Sequence, residues 1–169
     1  MVMGARMSEN KVTPRAGSRS FAAIFAASAP FSVLYKLEPL ESVAVLKKGI
    51  PARFLVRLIR DMGSPKHYVA VTLGIAPSTA TRKMDADATL NLDESERVLG
   101  LGKLIGQVQT IVEESGEPAG FDAAKWVAEW IKTPQRPLGG KRPDELLDTA
   151  DGRQLVSDLI ARQQSGAYS

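Results

Sequence analysis

The 169-residue sequence contains no cysteine and a single histidine, His67. The lack of cysteine excludes both a disulfide framework and a thiolate-bound metal. A lone histidine also argues against a zinc or iron centre, because such centres draw most of their ligands from histidine, cysteine and clustered carboxylates. The absence of cysteine fits a reducing compartment, so we expect a cytoplasmic protein with no metal and no other cofactor.

Long apolar runs are also absent. No stretch approaches the roughly 18 apolar residues that a membrane-spanning helix needs, so we expect no membrane partner. Residues 21–31, FAAIFAASAPF, resemble part of a signal peptide, but the apolar run is short and its basic lead-in is long. Residues 1–20 mix Gly, Ser, Pro and Arg, and we predict a flexible N-terminal tail over residues 1–37. The start of translation stays open among Met1, Met3 and Met7.

Charge is unevenly distributed along the chain. Residues 1–91 carry 13 Lys and Arg side chains against 6 Asp and Glu, whereas residues 92–169 carry 9 against 13. A basic first half is typical of a protein whose N-terminal part meets a polyanion, although chance scatter gives the same pattern. The overall composition, with 44% hydrophobic and 24% charged residues, is that of an ordinary folded protein.

Glycine and proline divide the first half of the chain into short helical segments. Pro39 and Pro51 each stand at a predicted helix start, and Gly49 and Gly63 follow the predicted ends of the same helices. Ser64 is predicted to cap the next helix, with a proline at its first position. No convincing pair of strands and no internal repeat interrupts this pattern.

The second half of the chain shows longer helical patterns. Asn91 and Glu94 have the spacing of a capping box and open a helix predicted to run to about Ser115. Asp122 is predicted to cap a further helix, and residues 152–164 form the last one. Its inward face is predicted to consist of Leu155, Val156, Leu159 and Ile160.

These signals together predict an all-α fold in two parts. An N-terminal helical domain is expected over residues 38–115 and a small helical domain over residues 122–169. The segment SGEPAG between them has the composition of a linker, so the boundary is placed near residues 115–121.

Residues 67–84, HYVAVTLGIAPSTATRKM, have the spacing of a helix-turn-helix. Ala70 is the small residue needed where the two helices touch, and Gly74 supplies the positive φ that the turn needs. The core between the helices is expected to contain Val69, Leu73 and Ile75. The second helix projects polar side chains that suit phosphates and base edges, and we predict that DNA is bound by Ser78, Thr79, Thr81, Arg82 and Lys83.

Two features of the same segment argue against DNA binding. Ala80 stands where a bulkier aliphatic residue usually anchors a recognition helix, and Asp85 and Asp87 follow at once and repel a phosphate backbone. A plain helix hairpin with a glycine stop therefore remains the alternative interpretation.

Residues 100–106, GLGKLIG, look like a nucleotide-binding loop but do not have its spacing. The Walker pattern needs four residues between its glycines, and this segment falls inside a predicted helix instead of following a strand. Each glycine within a helix costs about 1 kcal/mol relative to alanine. Three of them predict that another helix approaches closely, either in this chain or in a dimer.

Residues 130–152, WIKTPQRPLGGKRPDELLDTADG, contain a loop rich in proline and glycine. Gly139 and Gly140 expose backbone N–H groups beside Lys141 and Arg142, an arrangement that can hold an anion. No nucleophile, general base or metal ligand accompanies it, so we predict that the protein is not an enzyme. The acids nearby are interpreted as helix-capping and surface residues: Asp144, Glu145, Asp148 and Asp151.

Residues 130–169 resemble the toxin-binding domain of the Xre/MbcA/ParS antitoxin family. Residues 63–112 are similar to the Xre-like helix-turn-helix half of the same family, through the segments LGIAPSTATRK and LDESERVLGLGKL. In the C-terminal segment the resemblance is carried, in chain order, by Pro134, Leu138, Gly139, Gly140, Pro143, Leu146, Leu147, Asp148, Thr149, Gly152, Arg162, Gly166 and Tyr168.

This resemblance implies an Xre-like helix-turn-helix bundle followed by a small helical toxin-binding domain, and an antitoxin as the function. The implied partner is a RES-domain toxin, an ADP-ribosyltransferase-like enzyme that consumes or transfers from NAD and whose active site the antitoxin covers. Many family members also bind their own operator, so operator DNA and a homodimer within a larger toxin–antitoxin complex are expected. The residues implied in toxin binding are Trp130, Arg136, Leu138, Gly139, Gly140, Lys141, Arg142, Arg162, Gly166, Tyr168 and Ser169.

A second class of function stays open. The chain has the features of a helix-turn-helix transcriptional regulator whose C-terminal domain senses a small ligand. The basic first half favours it, whereas the lack of an evident apolar set to line a pocket disfavours it.

Overall fold

The structure, a computed structural model, describes residues 19–116 and 118–166, and every regular element in these ranges is helical. This confirms the all-α prediction. The α-helices, in chain order, are α1 (Phe21–Ile24), α2 (Ser32–Tyr35), α3 (Pro39–Lys48), α4 (Ala52–Met62), α5 (Lys66–Thr72), α6 (Pro77–Asp85), α7 (Leu92–Ser115), α8 (Ala123–Trp130) and α9 (Ala150–Gln164). Among the described residues, no helix is both long enough and apolar enough to cross a bilayer.

Local capping signals set most of the helix ends. Pro39 begins α3, and Gly63 ends α4 in the left-handed conformation at a φ of 61°. At the start of α7, Asn91 Oδ1 accepts the Glu94 N–H at 2.9 Å, while Glu94 Oε2 accepts the Asn91 N–H at 2.9 Å. These predictions are confirmed. The prediction for Ser64 is wrong, because Pro65 is the N-cap of α5.

Helix α7 is the central element, and α2, α3, α8 and α9 all contact it. Its glycines explain how they come so close. A Cβ added at Gly102 would lie 2.7 Å from Leu34 Cδ1, and one added at Gly106 would collide with the backbone carbonyl of Phe31. The close helix approach predicted from these glycines is confirmed, and the approaching helix belongs to the same chain.

We expect Gly106→Ala to destabilise the protein. Overpacking costs about 1–3 kcal/mol, and the upper end applies here because the Phe31 backbone cannot rotate away. The gain in helix propensity is only about 1 kcal/mol, so urea denaturation should show a net loss of stability. Gly100→Ala is the control, since the three atoms nearest to its methyl group all belong to the Arg153 side chain, which can shift more easily than a backbone. Equal losses for both variants would contradict this account of the packing.

The prediction that residues 1–37 form a flexible tail is wrong for residues 21–35, while residues 1–18 lie outside the described residues. Phe25 and Leu34 are buried in the core. The buried Arg57 on α4 also donates hydrogen bonds to backbone carbonyls in this segment, including that of Ala26 at 2.9 Å. The apolar run that resembles a signal peptide therefore forms part of the core. Its alanine-rich composition gave no indication that its phenylalanines contact the rest of the protein.

One hydrophobic cluster connects the two predicted domains. It contains Phe54 and Ile105 from the N-terminal part together with Val127, Ile131 and Val156 from the C-terminal part. Helix α8 contacts both α4 and α7, and α9 contacts α7. The C-terminal helices are therefore packed on the helix-turn-helix part through shared apolar burial.

Helix α9 follows its predicted pattern with one exception. Val156, Leu159 and Ile160 are buried as predicted. The inward orientation predicted for Leu155 is wrong, since this side chain is 49% exposed. The inward stripe of α9 is therefore narrower than the periodicity indicated.

Candidate functional site

Helices α5 and α6 form a helix-turn-helix. The turn between them places Gly74 at a φ of 63°, and the Ile75 N–H donates to the Ala70 carbonyl at 2.9 Å. Val69, Leu73 and Ile75 are buried between the helices, as the spacing predicted. The arrangement orients α6 so that one side packs on the core and the other faces solvent.

The outer side of α6 carries four of the five residues predicted to bind DNA. Ser78 and Arg82 are exposed, and Thr79 and Thr81 are half-buried. Ala80 points the other way and is buried, so the small residue at the anchor position lets α6 lie close to the core. The four residues Ser78, Thr79, Thr81 and Arg82 are called the recognition surface below.

A groove runs between the recognition surface and the start of α5. Ser78, Thr81 and Arg82 line one side of it, and Lys66 and His67 line the other. Cations and hydroxyl groups at the rim of one groove are the groups that contact phosphate oxygens and base edges. Lys66 was not predicted from the sequence to bind DNA. The only indication in the sequence that it begins α5 is the proline before it.

Lys83, the fifth predicted residue, is in a different environment. Its Nζ lies 2.5 Å from Glu94 Oε2, and the two side chains are only 14% and 10% exposed. The pair joins the end of α6 to the first turn of α7, so the Lys83 prediction requires correction: this cation is engaged within the protein. The two residues belong to different helices separated by a turn, so the periodicity of neither helix indicates the pair.

The two acidic residues that argued against DNA binding, Asp85 and Asp87, lie in different environments. Asp87 lies at the turn with a φ of 43° and pairs with Arg53 on α4 at 3.2 Å. Asp85 lines the groove beside the recognition surface. Only one of the two carboxylates that argued against DNA binding therefore faces this groove.

The proline- and glycine-rich segment, residues 134–142, folds into a closed loop, called the Pro-Gly loop below. A single helical turn covers Arg136–Leu138, and Gly139 and Gly140 follow at φ values of 66° and 80°. The loop closes on itself, because the Gln135 N–H donates to the Lys141 carbonyl at 3.0 Å and the Gly140 N–H donates to the Gln135 carbonyl at 3.0 Å. Glycine is required at both positions by the positive φ.

The loop presents charged groups to solvent. Arg136, Lys141 and both glycines are exposed, whereas Leu138 is half-buried. Backbone hydrogen bonds fix the positions of these groups before any partner arrives. A closed, self-bonded loop with two cations is suited to a protein partner, because little conformational entropy is lost on docking.

Asp144, which the sequence indicated as a capping or surface residue, anchors this loop from within the protein. Its side chain is 4% exposed and accepts hydrogen bonds from Tyr68 Oη at 2.7 Å and from Arg142 Nε at 3.1 Å. Its backbone N–H donates to the Ile131 carbonyl at 3.0 Å. The surface interpretation of Asp144 is therefore wrong.

Tyr68 belongs to α5, so this contact connects the helix-turn-helix directly to the Pro-Gly loop. Burial raises the pKa of Tyr68 above its ordinary value, and the hydrogen bond to Asp144 raises it further. Arg142, predicted to bind the toxin, is half-exposed and also pairs with Glu145 at 3.4 Å. The structure therefore shows Arg142 in contact with two carboxylates of its own chain, and its role in toxin binding stays a prediction.

The remaining residues predicted to bind a toxin lie close to this loop or beyond α9. Trp130 is half-buried at the end of α8, and its ring stacks on that of Trp126 at a centroid distance of 5.6 Å. Arg162 and Gly166 lie at the exposed end of α9, and Gln163 Nε2 approaches Gln135 Oε1 at 3.4 Å. The structure thus brings the end of α9 to the base of the Pro-Gly loop. Tyr168 and Ser169 lie outside the described residues.

Comparison with known proteins agrees with this two-part arrangement. Residues 119–166 match the model of the antitoxin Xre/MbcA/ParS C-terminal toxin-binding domain, and residues 41–102 match that of the antitoxin Xre-like helix-turn-helix domain. The first region contains the Pro-Gly loop and all of α9, and the second contains the recognition surface.

Whole-chain relatives carry antitoxin names. The chain is 38% identical to "Prs ADP-ribosylating antitoxin" of Sphingobium sp. over 98% of this chain and 96% of the relative. It is 31% identical to "Antitoxin Xre" of Yersinia enterocolitica over 78% of this chain and 86% of the relative. This chain therefore belongs to the Xre/MbcA/ParS antitoxin family, as an antitoxin with a helix-turn-helix domain and a toxin-binding domain.

Proposed function

We propose that this antitoxin neutralises a RES-domain toxin, an ADP-ribosyltransferase-like enzyme that consumes NAD, by covering the toxin's active site. The Pro-Gly loop carries the proposal, because it is a pre-formed, cationic surface inside the region that matches a toxin-binding domain. The name of the Sphingobium relative, which contains the words ADP-ribosylating antitoxin, supports the chemistry of the proposed partner.

Two surfaces would contact the toxin in this proposal. The first is the Pro-Gly loop, where Arg136 and Lys141 complement an acidic rim and accelerate association. The second is the segment from Arg162 to the end of the chain, where Tyr168 and Ser169 are predicted contacts and tyrosine is a frequent anchor of interfaces. The proximity of Gln163 Nε2 to Gln135 Oε1, 3.4 Å apart, supports a joint use of the two surfaces.

We expect a RES-domain toxin to be encoded beside this chain, and a direct test measures NAD consumption by that protein. We expect the full chain to copurify with that protein and to abolish its NAD consumption at equimolar concentration. A chain that ends at residue 165 lacks the predicted contacts Gly166, Tyr168 and Ser169 and should inhibit less well. Its melting temperature and its affinity for operator DNA should stay those of the full chain. Undiminished NAD consumption in the presence of the full chain would contradict the proposal.

We further propose that the helix-turn-helix domain represses the antitoxin's own operon as a homodimer. Two copies are expected, because a helix-turn-helix pairs two half-sites about one helical turn of DNA apart. The groove lined by Lys66, His67 and Arg82 supports the DNA-binding part of this proposal. A gel shift that responds to a metabolite and needs no toxin would instead favour a ligand-sensing regulator.

A further inference from the structure

Three aromatic rings form a continuous row on the outer side of α8. The ring centroid of Phe121 lies 6.4 Å from that of Trp126, which lies 5.6 Å from that of Trp130. The two indole planes are inclined by only 14°. Phe121 is 37% exposed and Trp126 is 38% exposed, whereas Trp130 is half-buried against the core. The row Phe121, Trp126 and Trp130 is called the aromatic strip below.

The buried side of α8 consists of aliphatic residues and does not include the exposed rings of the strip. Helix α8 buries its other side through Ala124, Val127 and Ala128, and Ile131 follows on the same side, fully buried. Trp126 stacks on Trp130 but leaves 38% of its surface exposed, and a tryptophan exposed to this extent is typical of an interface, where large rings supply much of the binding energy.

The charges beside the strip indicate what kind of molecule covers it. Lys125 pairs with Asp122 at 3.6 Å, and Lys132 pairs with Glu129 at 3.0 Å. These four charges cancel, and Arg60 and Asp61, which line a groove together with Phe121, pair with each other at 2.8 Å, so these pairs give the edge of the strip no net positive charge. A nucleic-acid surface needs cations for the phosphate backbone, whereas a protein interface is apolar at its centre and depleted of net charge there. The local electrostatics therefore favour a protein partner.

We propose that the aromatic strip is part of the toxin interface and packs against an apolar patch of the toxin. The inference rests on the proposed function and extends its surface from the Pro-Gly loop to α8. The strip lies entirely within the matched toxin-binding domain, residues 119–166. It is also continuous with the loop, because the Trp130 carbonyl accepts the Thr133 N–H at 3.0 Å and the loop begins at the next residue. In this proposal, one toxin surface covers both.

The chain contains two tryptophans in all, and both belong to the strip, which permits a selective probe. The antitoxin is labelled with 5-fluorotryptophan and titrated with the unlabelled RES-domain toxin, and its two ¹⁹F resonances are assigned with Trp126→Phe and Trp130→Phe. We expect the Trp126 resonance to shift and to lose most of its difference between H₂O and D₂O when the complex forms. An unchanged Trp126 resonance in a stoichiometric complex would overturn the proposal.

A titration of variants measures the energetic consequence. Trp126→Ala should raise the Kd for the toxin by about 30-fold or more, the loss expected of an interface hot spot. Leu40→Ala on α3, which removes a more exposed apolar side chain outside the matched toxin-binding domain, is the matched control and should leave Kd unchanged. Equal melting temperatures show that both variants remain folded.

The outcomes separate this inference from the proposed function. If the wild-type chain does not bind the toxin, the proposed function itself fails. If the wild-type chain binds and Trp126→Ala binds equally well, the toxin interface excludes the strip and only the present inference fails. If Trp126→Ala changes sedimentation of the antitoxin alone and not its toxin affinity, the strip joins two antitoxin chains and the inference is overturned.

Discussion

The double substitution Arg136→Glu and Lys141→Glu is expected to raise the Kd for the toxin by about 100-fold or more. Both side chains are exposed on a loop whose backbone is held by its own hydrogen bonds. Like charges placed opposite each other across an interface cost several kcal/mol, and about 1.4 kcal/mol corresponds to a factor of ten. Calorimetric titration and inhibition of NAD consumption should give the same loss.

A second double reversal provides the matched control for the loop variant. Lys36→Glu with Lys47→Glu changes the net charge by the same amount at exposed positions outside the C-terminal part. Its toxin affinity should stay within a few-fold of the wild-type value, because charges beyond about 10 Å are screened at 0.1 M salt. An equal loss in the two variants would show that the loop acts only through long-range charge. No loss in either would remove the loop from the interface.

Arg82→Ala is expected to weaken operator binding by about 100-fold in a dimer. One arginine that contacts a base or phosphate contributes about 1–3 kcal/mol, and a symmetric dimer loses the contact twice. Toxin binding should be unchanged, since Arg82 lies on α6 and the Pro-Gly loop is anchored through Tyr68 on α5. Fluorescence anisotropy with operator DNA at fixed salt measures the effect.

Lys83→Met is the informative control for this prediction. The substitution keeps the hydrocarbon chain but leaves the mostly buried carboxylate of Glu94 without its cation, which is destabilising. We expect a lower melting temperature and, where the variant is still folded, wild-type affinity for operator DNA. A loss of DNA affinity as large as that of Arg82→Ala, measured on folded protein, would return Lys83 to the DNA-binding set.

Both sets of variants need a stability measurement, because the two functional surfaces share a scaffold. Tyr68 joins α5 to Asp144 beneath the Pro-Gly loop, and Arg97 on α7 donates to the Gly74 carbonyl in the turn at 2.8 Å. Residues of α4, α7, α8 and α9 belong to one hydrophobic cluster. A change that loosens this scaffold would lower both affinities together, whereas the substitutions above are expected to lower only one.

Local structure could be predicted well from residue order alone. The proline at the start of α3, the glycine after α4, the capping box of α7 and the Gly74 turn of the helix-turn-helix all act within a few residues. Such interactions depend on φ preferences and on short-range hydrogen bonds, which are the same in almost any tertiary setting. For the same reason, the all-α class and the helix-turn-helix were predictable.

Only the tertiary structure decided which side chains that lie far apart in the sequence contact each other. Tyr68 and Asp144 are 76 residues apart, and Lys83 and Glu94 belong to different helices, so no periodicity indicates either pair. Leu34 is buried because α7 presents Gly102 and Gly106 to α2, and Phe25 is buried against Phe54 on α4, although the composition of their own segment predicts a flexible tail. Sequence order thus determined where most of the longer helices begin and end, while burial and long-range pairing determined which charges and rings remain available to a partner.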